Sequence, residues 1–219
     1  MIYYIEVHLV DHCNLNCAKC FHYAPLADGS YFLSTETFEK DITRFKEVCE
    51  NKCPTINLLG GEPFLHPQWQ RFVEIIRKII PDAYIYITTN GLLLKKLTQE
   101  QIDFINDCGV SINTSKYPIN VDYDWIKRTF TKHQVMDRTQ MYCACLDISG
   151  SQNALESYCN CNQHCKADKD HYGDYSKVGC VTLREGKLYP CSIIPHLPVF
   201  MKHFNVNLKE YEKAGIDIY

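Results

Sequence analysis

β-rich segments at 3–10, 55–59, 83–88 and 110–115 alternate with stretches of helical periodicity, and that rhythm admits few folds. A strand, a crossover helix and a parallel return strand take about 30 residues and are right-handed in nearly every case. "YYIEVHLV" (3–10) alternates as a strand should. The next stretch predicts a helix with Thr35 as N-cap and Phe38, Ile42, Phe45 and Cys49 on one face. Pro67 suits the first position of a second helix, whose stripe is Phe72, Ile75, Ile76, Ile79 and Ile80. Thr98 and Gln101 form a capping box for a third, with Leu97 placed to staple onto Ile102. Residues 122–130 predict a fourth helix. The class is α/β with a parallel sheet.

The unusual residues fall after the strands. "CNLNCAKC" (13–20) follows the first, "GGEP" (60–63) the second, "TNG" (89–91) the third and "SKYP" (115–118) the fourth. In a parallel barrel those loops converge on one face, where active sites sit. Cys13, Cys17 and Cys20 offer soft thiolates for an iron–sulfur cluster, zinc or copper(I). A cubane cluster held by three cysteines keeps one iron open, whereas a closed zinc site would enlist His12 or His22 as fourth ligand. Gly60 and Gly61 let a ligand approach the backbone, and Glu62 can hold an ammonium group.

In order and spacing, Cys-x3-Cys-x2-Cys, Gly-Gly-Glu-Pro and Thr-Asn-Gly resemble the radical S-adenosylmethionine (radical SAM) superfamily over roughly residues 3–135. The resemblance implies a partial (β/α)6 barrel of the TIM type, with a 4Fe–4S cluster on Cys13, Cys17 and Cys20. S-adenosylmethionine would chelate the open iron. Gly60, Gly61 and Glu62 match the segment that binds its amino group, and Thr89 and Asn90 line the site. Ser111 and Asn113 match a Ser-hydrophobic-Asp at the end of the fourth strand, with Asn in place of the commoner Asp. Lys19 stands where the family carries an aromatic residue. The implied activity is reductive cleavage to a 5′-deoxyadenosyl radical that takes a hydrogen atom from a bound substrate. A one-electron donor such as flavodoxin or ferredoxin is implied with it.

Beyond about residue 136 the rhythm breaks. We expect residues 1–140 to form the barrel and 141–219 a cysteine-rich extension. "CVTLREGKLYPC" predicts a hairpin turning at Glu185-Gly186. It resembles the opening of the auxiliary-cluster extensions called Twitch or SPASM domains. A second iron–sulfur cluster would draw on Cys165, Cys180 and Cys191, with Cys159 and Cys161 close by. Zinc, or a Cys180–Cys191 disulfide, are the alternatives. No cysteine follows Cys191, so either an upstream residue completes the site or the natural chain is longer. Cys49, Cys53 and Cys108 read as small buried hydrophobes.

Thirteen cysteines without a secretory signal point to metal or redox chemistry in the reducing cytoplasm rather than to a disulfide scaffold. A formal net charge of -3 gives no general attraction for nucleic acid, and no apolar run would span a membrane. The chain opens directly at its first strand, which favours a small sugar-type metabolite as substrate over a ribosomally made peptide. A non-catalytic iron–sulfur or zinc module is the reading from another class, and activation of a glycyl-radical enzyme fits poorly. No acid or base is assigned, although Lys116, Tyr117 and the cysteines of 143–165 are placed to touch substrate. His66 and His196 read as turn residues.

Overall fold

The computed structural model describes residues 4–18, 20–49, 55–137, 181–207 and 214–219. Five parallel strands lie side by side in chain order: β1 (Tyr4–Val10), β2 (Thr55–Gly60), β3 (Tyr84–Thr89), β4 (Ser111–Lys116) and β5 (His133–Asp137). The crossovers carry α1 (Thr35–Val48), α2 (Trp69–Ile79), α3 (Gln99–Asp107) and α4 (Tyr123–Thr129). The first four strands and all four helices stand where the sequence places them. β5 escapes a sequence reading because "HQVMD" at the sheet edge is polar at three of five positions.

Two helix starts differ from expectation. Ser34, not Thr35, caps α1 by accepting the Thr37 N–H, because it keeps the extended backbone a cap requires. Pro67 precedes α2 by two residues, while Pro63 opens a short 3-10 turn instead. The capping box of α3 forms as read, with both of its hydrogen bonds in place.

The strands alternate cleanly. Ile5, Val7 and Leu9 of β1, with Ile56, Leu58, Ile85, Ile87 and Ile112, pack on Phe38, Ile42, Phe45, Phe72, Val73 and Ile76 of the helices. Each such side chain contributes roughly 1.5–3 kcal/mol when fully buried. The opposite, inner face is polar. The register aligns Thr182, Glu6, Asn57, Tyr86 and Ser111 in one row across five strands.

The sixth parallel strand comes from the extension. β6 (Thr182–Arg184) adds to the free side of β1, and β7 (Lys187–Tyr189) and β8 (Ile216–Asp217) continue the sheet antiparallel. The turn falls at Glu185-Gly186 as predicted, with φ of 50° and 75°, the paired positive values of a tight hairpin. Gly186 has a second reason to lack a side chain, since a Cβ there would lie 2.7 Å from the Tyr219 ring. α5 (Leu197–Phe204) follows and sets Phe200 against Tyr23, ring centroids 5.2 Å apart, beside the cysteine loop. The architecture is a partial α/β barrel carrying a C-terminal hairpin extension with a cysteine at its end. Cys49 and Cys108 pack against the core only partly buried. Cys53, Lys19, Cys159, Cys161, Cys165, Cys180 and the 208–213 stretch lie outside the described residues. Among those described, no helix is long and apolar enough to cross a membrane.

Candidate active site

The cysteine loop leaves β1 and is held by its neighbour. Gly61 N–H donates to Val10 O at 2.9 Å, and Glu62 N–H to His12 O at 3.0 Å. This backbone contact is so close that a Cβ on Gly61 would sit 1.8 Å from the His12 carbonyl oxygen. Glycine is required there to bring "GGEP" against the thiols. Cys20 N–H closes a turn onto Cys17 O at 3.2 Å. Cys13 Sγ accepts from Leu15 N–H at 3.4 Å and from Asn90 Nδ2 at 3.7 Å.

Glu62 is the knot of the rim. Its Oε1 accepts from the Thr89 hydroxyl at 2.8 Å and Phe64 N–H at 3.3 Å, and its Oε2 from Asn90 N–H at 3.0 Å. Burial drives its pKa up to about 7, against the pull of those three donors. Asn90 also donates to Asn14 at 2.7 Å, so "TNG" grips the cysteine loop directly. Burial pushes the Cys13 thiol up to about 11 and raises Cys17 as well. Thiols so placed become ligands through a cation that displaces the proton.

Cys13, Cys17, Cys20, Gly60, Gly61, Glu62, Thr89 and Asn90 are therefore brought together at the C-terminal ends of β1, β2 and β3. Ser111 is not. It opens β4 opposite Tyr86, three residues before the Thr114 that pairs with Thr89, or about 10 Å along the strand. Asn113 lies one residue short of Thr114, opposite Thr88. The two contact each other, with Ser111 Oγ donating to Asn113 Oδ1 at 3.4 Å, and both face the inner side. Lys116 is exposed and pairs with Asp137 at 3.6 Å. Cys191 is partly buried near Tyr23.

Sequence reasoning missed the polar floor beneath this rim. Asn57 Nδ2 donates to Tyr4 Oη, Tyr4 donates to Glu6 Oε1, and Thr88 donates to Asn57 Oδ1, each at 2.8 Å. His8, His22 and His196 cluster above them, with His8 ring centroids 4.4 Å from His22 and 4.1 Å from His196. Burial holds His8 and His196 well below the usual histidine range and His22 down at about 4, so all three rings are neutral. His66 is the turn residue expected, its Nδ1 accepting from Gln68 N–H and its Nε2 donating to Leu33 O. His196 sits on a turn too, yet its ring is fully buried in the cluster. The available signal was a Glu and a His two apart in a strand buried along its whole length.

The family model of the Radical SAM superfamily matches residues 7–139, more than half of the chain. The chain belongs to the Radical SAM superfamily. It thus contains the catalytic domain of that enzyme superfamily, and the hairpin extension follows the matched residues. A curated relative, GTP 3′,8-cyclase of Sulfurimonas denitrificans, is 29% identical over 117 residues, covering 52% of this chain and 35% of its own. The chain spans about a third of the length of the curated relatives it matches. Among solved structures, BtrN in complex with AdoMet and 2-DOIA superposes with TM-score 0.58 at 14% identity, over 94% of this chain and 81% of that one. AnSMEcpe with bound AdoMet gives 0.53 at 14% identity, over 88% and 75%. AnSMEcpe is also solved with a bound Cp18Cys peptide.

Proposed function

We propose that this chain is a radical SAM enzyme in which Cys13, Cys17 and Cys20 hold a 4Fe–4S cluster and the rim of Gly60, Gly61, Glu62, Thr89 and Asn90 holds S-adenosylmethionine. The observation that carries it is the joint at Cys13, whose sulfur accepts two N–H donors, one of them from Asn90. Donors onto sulfur are what tunes a cluster thiolate. When bound, cluster and cofactor supply a 5′-deoxyadenosyl radical that takes a hydrogen atom from the substrate. A carboxylate offers about four acceptor positions; Glu62 spends three on the protein and keeps one for the methionine ammonium. Gly61 admits the close backbone approach that fixes this rim over the thiols.

The inner face below is the substrate chamber. Glu6, Asn57, Thr88, Ser111 and Asn113 present hydrogen-bonding groups from four adjacent strands. The expectation of a sugar-type substrate rested on where the sequence begins, and that carries no weight for a chain spanning part of its relatives. We therefore place a ribosomally made peptide ahead of it, supported by the shared fold with anSMEcpe and its peptide complex. The small-molecule reading keeps the support of BtrN, solved with 2-DOIA. Cys191 with Cys165 and Cys180 holds an auxiliary cluster, and a flavodoxin or ferredoxin of the cytoplasm supplies the electron.

The test is anaerobic reconstitution of the chain, reduction with dithionite and detection of 5′-deoxyadenosine by mass spectrometry. Formation of one product per S-adenosylmethionine consumed is expected. Its absence, with the cluster assembled and reduced, would sink the enzyme reading.

A further inference from the structure

The radical machinery leaves a group of side chains on the inner face of β1 unused. One ligand-capable atom from each of Glu6, His8 and His22 lies within 4.8 Å of the other two. His8 belongs to a second such group with Asp11 and His196. Glu6 and His8 sit two apart on one strand, so both point inward, while His22 is delivered by the turn that follows the third loop cysteine.

Hydrogen-bond accounting singles out His8. It is 2% exposed, and neither ring nitrogen has a partner. A neutral imidazole carries one N–H and one lone pair, and buried groups of this kind are seldom left unmatched. His196, fully buried, leaves its Nε2 without a partner as well.

The remaining contacts orient the set. His22 Nδ1 lies 3.3 Å from Gly60 O. A carbonyl only accepts, so Nδ1 carries the proton and Nε2 keeps the lone pair. Glu6 Oε1 takes the Tyr4 hydroxyl at 2.8 Å. The Asp11 carboxylate, near His8, is fixed by Arg184 and stands ready to accept the N–H of the His8 nitrogen that does not face the metal. A backbone carbonyl behind one histidine and a carboxylate behind the other is the usual outer shell of a metal site.

We propose that Glu6, His8 and His22 form a divalent-metal site for zinc or iron(II), distinct from the cysteine loop, with an open position facing the inner chamber. Two histidines and a carboxylate are a recurrent ligand set for both ions. Ligands at 2.0–2.1 Å from a tetrahedral ion lie about 3.3 Å apart, so the three atoms draw together by no more than about 1.5 Å, within reach of side-chain torsions. Asp11 and Arg184 cancel each other, and Glu6 leaves the loaded site with one net positive charge, suited to a substrate oxygen. That last role rests on the inner face being the substrate chamber; metal binding itself does not.

The test uses the full chain, its thiols first occupied by anaerobic iron–sulfur reconstitution, then equilibrated with Zn2+ and desalted. About one zinc per chain is expected, with a nitrogen/oxygen shell at about 2.0–2.1 Å by X-ray absorption. Glu6→Gln and His8→Ala should each weaken retention at least about tenfold. His8→Phe fills the same space without a ligand atom, so added zinc should raise the melting temperature of the native chain and not of this variant. No retained zinc, a shell of sulfur alone at about 2.3 Å, or equal retention by the folded variants would overturn the site. The same preparations report 5′-deoxyadenosine separately. Its formation without nitrogen-bound zinc removes the metal site alone, and nitrogen-bound zinc without it removes the radical reading alone.

Discussion

Asp11 and Arg184, 173 positions apart, meet in a two-bond ion pair, Oδ1 to Nη1 at 2.8 Å and Oδ2 to Nη2 at 2.9 Å. Asp11 follows the last residue of β1, and Arg184 ends β6, so the pair fastens the hairpin to the strand that launches the cysteine loop. The guanidinium also stacks on Tyr31, 3.9 Å from its ring centroid. Both side chains are largely buried, Arg184 at 14% and Asp11 at 7% exposure.

Breaking such a pair strands a charge in a poor solvent for it. Arg184→Met should therefore destabilise the chain by about 3–5 kcal/mol, read as a lower urea midpoint. Arg184→Lys should recover little, because an ammonium cannot span both carboxylate oxygens. In a double-mutant cycle, Asp11→Asn with Arg184→Met should cost clearly less than the two singles added. Additivity would mean that the pair does not bear the hairpin's attachment.

Gly61→Ala tests whether the rim and the thiols are one unit. The new Cβ would lie 1.8 Å from the His12 carbonyl oxygen and 2.8 Å from Cys13 N, both backbone atoms that cannot swing away. The loop after β2 has to separate from the cysteine loop. The reconstituted variant should hold less than about one iron on these cysteines, where a cubane holds about four. Far-UV circular dichroism should remain near native, since the helices are anchored in the core on the other face. Normal iron content would show that cluster assembly does not depend on this contact.

What could be read from the chain in advance was whatever is local or periodic. The α3 cap forms within four residues, Thr98 to Gln101, and forms as read. The rim was legible because each of its pieces follows a strand, and parallel strands bring such pieces together. The inner cluster was not, because His196 reaches His8 and His22 only once β6 has joined β1. Nothing local marks that pairing, which rests on one register match between Glu6 and Thr182. Ser111 was misplaced for a related reason: "SIN" opens β4 rather than ending it, and strand polarity against the rim is a tertiary fact.

Iron stoichiometry separates the two cysteine sets. The native chain should take up more than about four irons after anaerobic reconstitution if an auxiliary cluster forms beside the first. Cys191→Ser should bring the count back towards about four while leaving 5′-deoxyadenosine formation measurable. Cys13→Ser should abolish that formation and retain the iron of the second set. A native count of four with no zinc would remove the auxiliary cluster.

The last strand is tied down by Asp41 of α1. Its Oδ2 accepts the Gly186 N–H at 2.8 Å and its Oδ1 the Tyr219 hydroxyl at 2.7 Å. Asp41 is 4% exposed, so neither bond is readily replaced by water. The carboxylate thus joins a helix of the barrel to the hairpin turn and to Tyr219, two residues past β8, while Ile218 N–H donates to Gly186 O at 3.0 Å beside it. Asp41→Ala leaves two donors without an acceptor and should cost about 1–3 kcal/mol. Tyr219→Phe removes one bond and keeps the ring, over which Lys40 Nζ lies 4.2 Å from the centroid, so its loss should be about 0.5–1.5 kcal/mol. Urea denaturation ranks the two. Equal losses would mean that the Tyr219 bond accounts for the whole effect and that the turn stands without Asp41.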